Sequence, residues 1–179
     1  MASPISCISI LIIPLLVTFL FYDVSNADRP LLEKVCKQTW DHDFCMSVLL
    51  SDPEGLTNVL YRLGIVSTSV SLKIISTVNG EVGNFLVGVT DPVDRTRISN
   101  CQTYIDDISD IMQLAKNAAG SQSYSEEAKI LASAKQKIID CDKQFASPPT
   151  HVSPIVDHTH KIAMLINISN VIVNMLLSS

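Results

Sequence analysis

Once the first 27 residues are set aside, four cysteines remain, and their spacing constrains the fold more than any other feature. Cys36 and Cys45 form a close pair, whereas Cys101 and Cys141 are far apart. The segment between the distant pair has the pattern of two helices with a turn near Ser121, and each cysteine lies twenty residues from that turn. Two antiparallel helices would bring them to the same height, as a disulfide requires, since bridged Cα atoms lie within about 7 Å. The spacing therefore predicts an oxidised helical bundle.

The amino terminus has the pattern of a secretory signal peptide. Residues 5–22 are apolar and uncharged, and residues 25–27 (Ser-Asn-Ala) supply the small side chains that signal peptidase recognises. We expect cleavage after Ala27 and a mature domain of residues 28–179. A competing interpretation is an uncleaved membrane anchor, because no Lys or Arg precedes the apolar run and its length is close to a membrane span. Cleavage removes Cys7 and leaves an even cysteine count, which is typical of an oxidising compartment.

Charge and patterning argue against nucleic acid and membrane as partners of the mature domain. The chain has 13 basic and 18 acidic residues, and no stripe of basic residues is present. The apolar run at residues 162–177 is interrupted by Asn167, Asn170 and Asn174, which share one helical face. That pattern indicates an amphipathic helix of a soluble bundle and not a membrane span.

Helical periodicity recurs throughout the mature chain, and no segment alternates like a strand. We predict an all-α fold, an up-down-up-down four-helix bundle with an N-terminal helical hairpin that holds Cys36 opposite Cys45. Asp91 before Pro92 marks one helix start, Ser123 and Glu126 form a capping box at another, and Gly120 ends a helix by taking a positive φ. The predicted core positions of the four long helices are Leu63, Val66, Val70, Ile74, Val78, Val82, Phe85 and Val89; Ile98, Cys101, Ile105, Ile108, Met112 and Ala115; Ala128, Leu131, Ala134, Ile138, Cys141 and Phe145; and Ile155, Ile162, Leu165, Ile172 and Leu176.

Short motifs occur along the whole mature chain in an order that resembles the plant invertase and pectin methylesterase inhibitor family. They are Val35-Cys36-Lys37-Gln38-Thr39 with Phe44-Cys45, Asp52-Pro53, Asn100-Cys101-x-x-Tyr104, Ala132-Ser133-Ala134 with Cys141-Asp142-x-x-Phe145, and Val152-Ser153-Pro154. The last motif is similar to a branch of invertase inhibitors that includes plane-tree pollen allergens. The resemblance implies the same four-helix bundle with disulfides Cys36–Cys45 and Cys101–Cys141. It also implies a stoichiometric inhibitor without catalysis of its own.

The resemblance implies a secreted glycosidase or a pectin methylesterase as the partner. Invertase inhibitors of the family carry a Pro-Lys-Phe motif near the second interhelical turn, whereas residues 120–125 read Gly-Ser-Gln-Ser-Tyr-Ser here. The choice between the two targets therefore stays open. We expect a monomer without a cofactor, located in the apoplast or cell wall, with the vacuole as an alternative. Competing functions are a non-inhibitory structural or pollen-allergen-like protein and a small-molecule carrier.

The candidates for a catalytic or metal site are few. His158 and His160 are two residues apart and fall on different helical faces, which does not suit a zinc pair, although Asp157 with both histidines could collect a metal at a helix start. We predict no catalytic residue and no metal. Trp40 is either a packing cover over the hairpin or an exposed interface anchor. Asn167-Ile168-Ser169 is a glycosylation sequon on a face that should be exposed.

The second interhelical turn, residues 119–125, is the candidate contact with a target enzyme. Gln122, Ser123 and Tyr124 lie at its tip, and the Cys101–Cys141 bridge is expected to hold its base. Tyr124 is an aromatic of the kind that anchors interfaces. The alternative is that Tyr124 only staples the start of its helix. Asp106 and Asp110, with Asp107, form an acidic patch alongside, which would steer encounter with the target or would simply be solvated.

Overall fold

The computed structural model describes residues 29–179, and these form six α-helices and one short 3-10 helix, with no strand in this range. The predicted signal segment and Cys7 lie outside the described residues. The elements in chain order are α1 (Arg29–Cys36), α2 (His42–Leu50), a 3-10 turn (Pro53–Gly55), α3 (Leu60–Val87), α4 (Pro92–Gly120), α5 (Tyr124–Ala146) and α6 (Val156–Leu177).

The four long helices form the predicted up-down-up-down bundle. Helix α4 packs against α3 and α5, and α6 closes the ring by packing against both α5 and α3. The hairpin of α1 and α2 lies outside this ring, against α3 and α6. Short connections between antiparallel neighbours produce this arrangement, because a loop of a few residues can only return the chain alongside the helix it has just left. The all-α prediction is confirmed.

Both predicted disulfides are present. Cys36 and Cys45 join α1 to α2 with Cα atoms 5.4 Å apart, and Cys101 and Cys141 join α4 to α5 with Cα atoms 4.8 Å apart. All four cysteines are buried in the core. The equal spacing from the α4–α5 turn therefore gave the correct facing positions.

The hairpin is held to the bundle by its own buried residues and by a tight 3-10 turn. Asp41 caps α2 by accepting from the Phe44 N–H at 2.9 Å. Gly55 in the turn is buried, and a Cβ atom at this position would lie 1.9 Å from the Leu49 carbonyl oxygen. Only a glycine fits this close approach between the turn and the end of α2.

The core positions of α4 were predicted correctly, but those of α3 were partly wrong. Ile75 is buried instead of Ile74, and Phe85 is 41% exposed. The buried face of α3 follows the spacing of Ser67, Ser71, Ile75, Val78 and Val82. The prediction followed apolar residues alone and therefore displaced the buried face to one side of its true position. Small polar residues occupy the centre of that face in the first half of the helix.

A polar seam of small residues joins α3 to α6. The Ser67 and Ser169 hydroxyl oxygens are 3.2 Å apart and fully enclosed by the bundle. Ser67 also donates to the Gly64 carbonyl oxygen at 3.1 Å. Beside them, Ile172 of α6 packs next to Gly64, and a Cβ added at Gly64 would lie 3.5 Å from an Ile172 methyl group, an ordinary van der Waals contact. The seam lets the first and last bundle helices approach closely while keeping these hydroxyls hydrogen-bonded.

Helix α6 is long and apolar enough to span a membrane by length and composition alone. Eight of its residues are buried inside the bundle, against α3 and α5. Asn174 is exposed, while Asn167 and Asn170 are half-buried. The apolar character of α6 is therefore that of a bundle helix with a polar outer edge, in agreement with the amphipathic pattern of its sequence.

A buried arginine ties the α5–α6 loop to the bundle. Arg97 on α4 donates to the carbonyl oxygens of Ser147 at 2.8 Å and Pro149 at 2.9 Å. Its guanidinium also lies 5.8 Å from the centre of the Phe145 ring. Charged donors bonded to two loop carbonyls fix a connection that has no secondary structure of its own.

Candidate functional site

The α4–α5 turn closes with a Schellman motif in which glutamine occupies the position that glycine usually takes. The Ser123 N–H donates to the Ala118 carbonyl oxygen at 2.9 Å, and the Gln122 N–H donates to that of Ala119 at 3.1 Å. Gln122 has a φ of 55°, and it is the one non-glycine residue with positive φ in residues 29–179. The expectation that Gly120 takes the positive φ is wrong, because α4 continues through Gly120 and reverses two residues later.

The predicted capping box at the start of α5 is absent. Ser123 occupies the N-cap position, but its side chain accepts no helix N–H. Its hydroxyl accepts instead from the Ser121 hydroxyl at 3.2 Å, and the Glu126 N–H donates to the Ser123 backbone carbonyl. In the Schellman motif, these two contacts within the turn take the place of the predicted side-chain cap.

The tip of the turn offers exposed polar atoms and a partly covered aromatic. Gln122 and Ser123 are exposed, whereas Tyr124 is half-buried and packs against the hydrophobic core. The Cys101–Cys141 bridge lies about 28 Å along α4 from Gly120, since a helix rises about 1.5 Å per residue. The bridge is therefore at the other end of the bundle and does not hold the base of this turn.

The acidic residues of α4 do not gather at the turn. Asp110 lies about 15 Å and Asp106 about 21 Å along the helix axis from Gly120. Both side chains are exposed, and Asp106 accepts a hydrogen bond from the Asn79 side chain of α3. Asp107 instead faces α5, where it pairs with Lys137 at 2.7 Å. The residues predicted to contact the target therefore form two separate patches. Gln122, Ser123 and Tyr124 lie at the turn, and Asp106 and Asp110 lie on the outer face of α4.

Trp40 is exposed at the edge of a groove between α5 and α6. The ring is 60% exposed, so it does not cover the hairpin, and its backbone N–H donates to Asn167 Oδ1 at 3.0 Å. We call this the Trp40 groove; its volume is about 550 Å³. Its lining includes Trp40, Lys135, Ile139, Asp142, Asn167 and Asn170.

The glycosylation sequon runs along α6, and two of its three side chains are engaged. Asn167 is half-buried and accepts from the Trp40 N–H through its oxygen. Ser169 lies in the buried seam with Ser67. The face is thus less open than its sequence indicates, and modification of Asn167 stays a prediction.

The histidines near the start of α6 point to different surroundings. His158 Nε2 lies 3.6 Å from Glu81 Oε2 on α3, whereas His160 is exposed. Within residues 29–179, no group of three or more His, Cys, Asp or Glu side chains is placed to hold a metal ion. The Asp157-His158-x-His160 segment does not assemble as one cluster.

Comparison with known protein families gives a match over most of the chain. The family described as plant invertase/pectin methylesterase inhibitor matches residues 30–176. The chain belongs to this inhibitor family. Members of the family are inhibitors of enzymes, and the family description gives two classes of target, invertase and pectin methylesterase.

Two named relatives of this family member are distant from it in sequence. Two proteins named "Putative invertase inhibitor", from Platanus acerifolia and Platanus orientalis, are 24% and 23% identical over 136 residues. This stretch is 76% of this chain and 76% and 80% of theirs. The resemblance to plane-tree proteins is confirmed.

Two solved structures of pectin methylesterase inhibitors from Arabidopsis share the fold. A mutant form superposes with a TM-score of 0.67, covering 80% of this chain and 95% of that one. A second structure gives 0.59, with coverage of 83% and 97%. Both are 17% identical to this family member, so the similarity concerns the fold.

Sequence reasoning missed one buried acid beside the turn of this inhibitor-family protein. Glu127, in the first turn of α5, is 1% exposed, and its Oε2 atom has no hydrogen-bond partner among the described residues. Burial raises the pKa of this carboxyl to about 7, because desolvation penalises the charged form. Its spacing from Leu131 and Ala134 puts it on the core stripe of α5, and that spacing is the signal that could have found it.

Proposed function

We propose that the protein is a secreted inhibitor that binds and blocks a plant carbohydrate-active enzyme, either an acid invertase or a pectin methylesterase, without catalysis of its own. The observation that carries the proposal is the family match over residues 30–176. The Platanus relatives named as invertase inhibitors and the bundle shared with pectin methylesterase inhibitors support it. The two disulfides suit a location in the apoplast or cell wall, where thiols are oxidised.

We infer that the target contacts Gln122 and Ser123 at the turn tip and the outer face of α4. The positive φ of Gln122 supports the tip as a contact, since a strained non-glycine conformation of roughly 1 kcal/mol or more often marks a functional position. The Schellman bonds hold Gln122 and Ser123 in one geometry, which lowers the ordering cost of binding. Asp106 and Asp110, on the α4 face, would act mainly on the rate of encounter.

The experiment is a side-by-side titration of purified acid invertase and pectin methylesterase with the fully oxidised protein. We expect the activity of one enzyme to fall to a plateau at a fixed molar ratio, as a stoichiometric inhibitor requires. Full activity of both enzymes at excess protein would contradict the proposal and would leave a non-inhibitory bundle protein.

Two variants of the protein, titrated against the enzyme that it inhibits, test the contact at the turn. Gln122→Ala removes the side-chain amide, whereas Gln122→Asn keeps an amide and tolerates the positive φ. We expect the alanine variant to inhibit about tenfold less strongly, as loss of a central contact does, and the asparagine variant to inhibit more nearly like the parent. Equal inhibition by all three proteins would place the contact elsewhere.

A further inference from the structure

The Trp40 groove has the size and surface of a small-molecule site outside the proposed target contacts. Its volume of about 550 Å³ lies within the roughly 300–1,000 Å³ typical of ligand pockets. One wall is α5, the other is α6, and the hairpin adds Trp40 at the edge. Trp40 and Ile139 are 60% and 38% exposed, so the groove presents apolar surface to solvent beside polar side chains.

Two amide side chains on α6 face the groove with fixed and opposite hydrogen-bonding capacity. Asn167 Oδ1 accepts from the Trp40 N–H at 3.0 Å, and a backbone N–H can only donate. The Asn167 Nδ2 group is thereby left as a donor. Asn170 Nδ2 donates to the Ile166 carbonyl oxygen at 3.1 Å, so its Oδ1 is left as an acceptor. Neither remaining atom has a partner among residues 29–179. The groove therefore offers one donor and one acceptor one helical turn apart.

We propose that the Trp40 groove binds a neutral oligosaccharide of pyranose rings. A sugar hydroxyl both donates and accepts, which matches the Asn167 donor and the Asn170 acceptor. The exposed face of the Trp40 indole is an apolar platform of the kind that packs against the C–H face of a pyranose ring. The combination of an aromatic face with paired amides distinguishes this groove from the other shallow depressions on the bundle.

The charges in the groove favour a neutral sugar over an acidic one. Lys135 and Asp142 are opposite in sign, so they add no net charge. Asp142 Oδ1 accepts from the Thr159 hydroxyl at 3.3 Å, which leaves its other oxygen for a ligand hydroxyl. Lys135 has no ion-pair partner in the described part of the chain and can donate to a second hydroxyl. For a uronate, repulsion from Asp142 offsets attraction to Lys135, so this pair gives no net electrostatic gain. The uronate carboxylate would still lose hydration on entering the groove, and this cost favours the neutral sugar.

The single tryptophan of the chain makes the proposal directly measurable, since Trp40 is the only source of indole fluorescence. The oxidised protein is produced without N-glycans, because a glycan on Asn167 would take up the donor nitrogen. It is titrated with cellotetraose, a neutral probe, and with tetragalacturonate, an acidic one. We expect a saturable change in Trp40 emission with cellotetraose at roughly millimolar concentration or below. Tetragalacturonate should bind at least about fivefold more weakly.

Matched variants assign the signal to the groove. Asn170→Ala removes the acceptor and should weaken cellotetraose binding about fivefold, as loss of one hydrogen bond does. Asn84→Ala, an exposed amide at the far end of α3 and outside the groove, should bind like the parent. Trp40→Ala, followed by titration calorimetry, should weaken binding about tenfold. Thermal melting confirms that each variant is folded.

The proposal is overturned by any of three results. They are the absence of saturable cellotetraose binding in both fluorescence and calorimetry, equal affinity for tetragalacturonate, and unchanged affinity in the Asn170→Ala or Trp40→Ala protein. Sugar binding and enzyme inhibition are measured separately, so failure of one does not imply failure of the other. A loss of inhibition in Asn170→Ala without any sugar binding would instead assign the groove to the enzyme interface.

Discussion

Replacing Glu127 by glutamine tests how strongly the bundle penalises a buried carboxylate. The pKa of the folded-state carboxyl is raised to about 7 from 4.5 by burial. Each pKa unit corresponds to about 1.4 kcal/mol, so the ionised form destabilises the fold by ~3 kcal/mol in a rigid environment. Relaxation and water penetration around the carboxylate reduce this penalty to about 2 kcal/mol. Because the folded state holds its proton more tightly, the stability associated with this group is complete at low pH and is lost between about pH 4.5 and pH 7.

Urea unfolding at about pH 4 and about pH 8 measures the effect. We expect Glu127→Gln to match the parent at the lower pH, where both side chains are neutral, and to exceed it by about 2 kcal/mol at the higher pH. For a domain of this size the second difference corresponds to a midpoint shift of roughly 1 M urea. The exposed neighbour offers the control Glu126→Gln, which should leave the difference between the two pH values unchanged. An equal gain at both pH values, or no gain at either, would refute desolvation of Glu127 as the cause.

Four further predictions concern stability and the turn. Gly55→Ala should lower the free energy of unfolding by about 2 kcal/mol in urea melts, because its Cβ would clash with the Leu49 backbone; an unchanged midpoint would contradict the close approach. Gln122→Gly should raise the free energy of unfolding by about 1 kcal/mol, because glycine adopts a positive φ without steric strain; a lower free energy of unfolding would show that glutamine is not strained there. Replacing Cys101 and Cys141 together by alanine should reduce stability by up to about 4 kcal/mol, measured against the oxidised parent. Tyr124→Ala should lower the melting temperature with inhibition retained, since the ring packs on the core; inhibition weakened by ~1 kcal/mol or more at an unchanged melting temperature would make it a target contact.

The arrangement of helices could be predicted from sequence because each source of information pointed to the same answer. Apolar spacing gave the helices, Asp91 and Pro92 gave a start, and the cysteine spacing gave the pairing of α4 with α5. The failures occurred where small polar side chains take positions that apolar residues usually fill. Ser67 and Ser71 occupy the centre of the α3 core face, and this shifted the predicted stripe toward Ile74 and Phe85.

The candidate site was less predictable than the fold, because its features depend on contacts between distant segments. The Schellman motif and the positive φ of Gln122 follow from how α4 leaves its last turn, and a glutamine gives no local signal for that conformation. The Trp40 edge of the groove comes from the hairpin, which meets α6 at the hydrogen bond from the Trp40 N–H to Asn167. Neither the exposure of Trp40 nor the orientation of that amide could be deduced from its neighbours in sequence.

The seam between α3 and α6 has a consequence for the order in which the chain folds. Ser67 and Ser169 are 102 residues apart in sequence, so their contact closes one of the longest loops in the domain. Contacts of that kind form late, whereas the α4–α5 hairpin is local and can form early. During synthesis, α3 must wait with its serine-lined face uncovered until α6 has emerged. Hydroxyls on that face can stay hydrated in the interval, so we expect the polar seam to reduce association of the nascent chain with other chains relative to an all-apolar face.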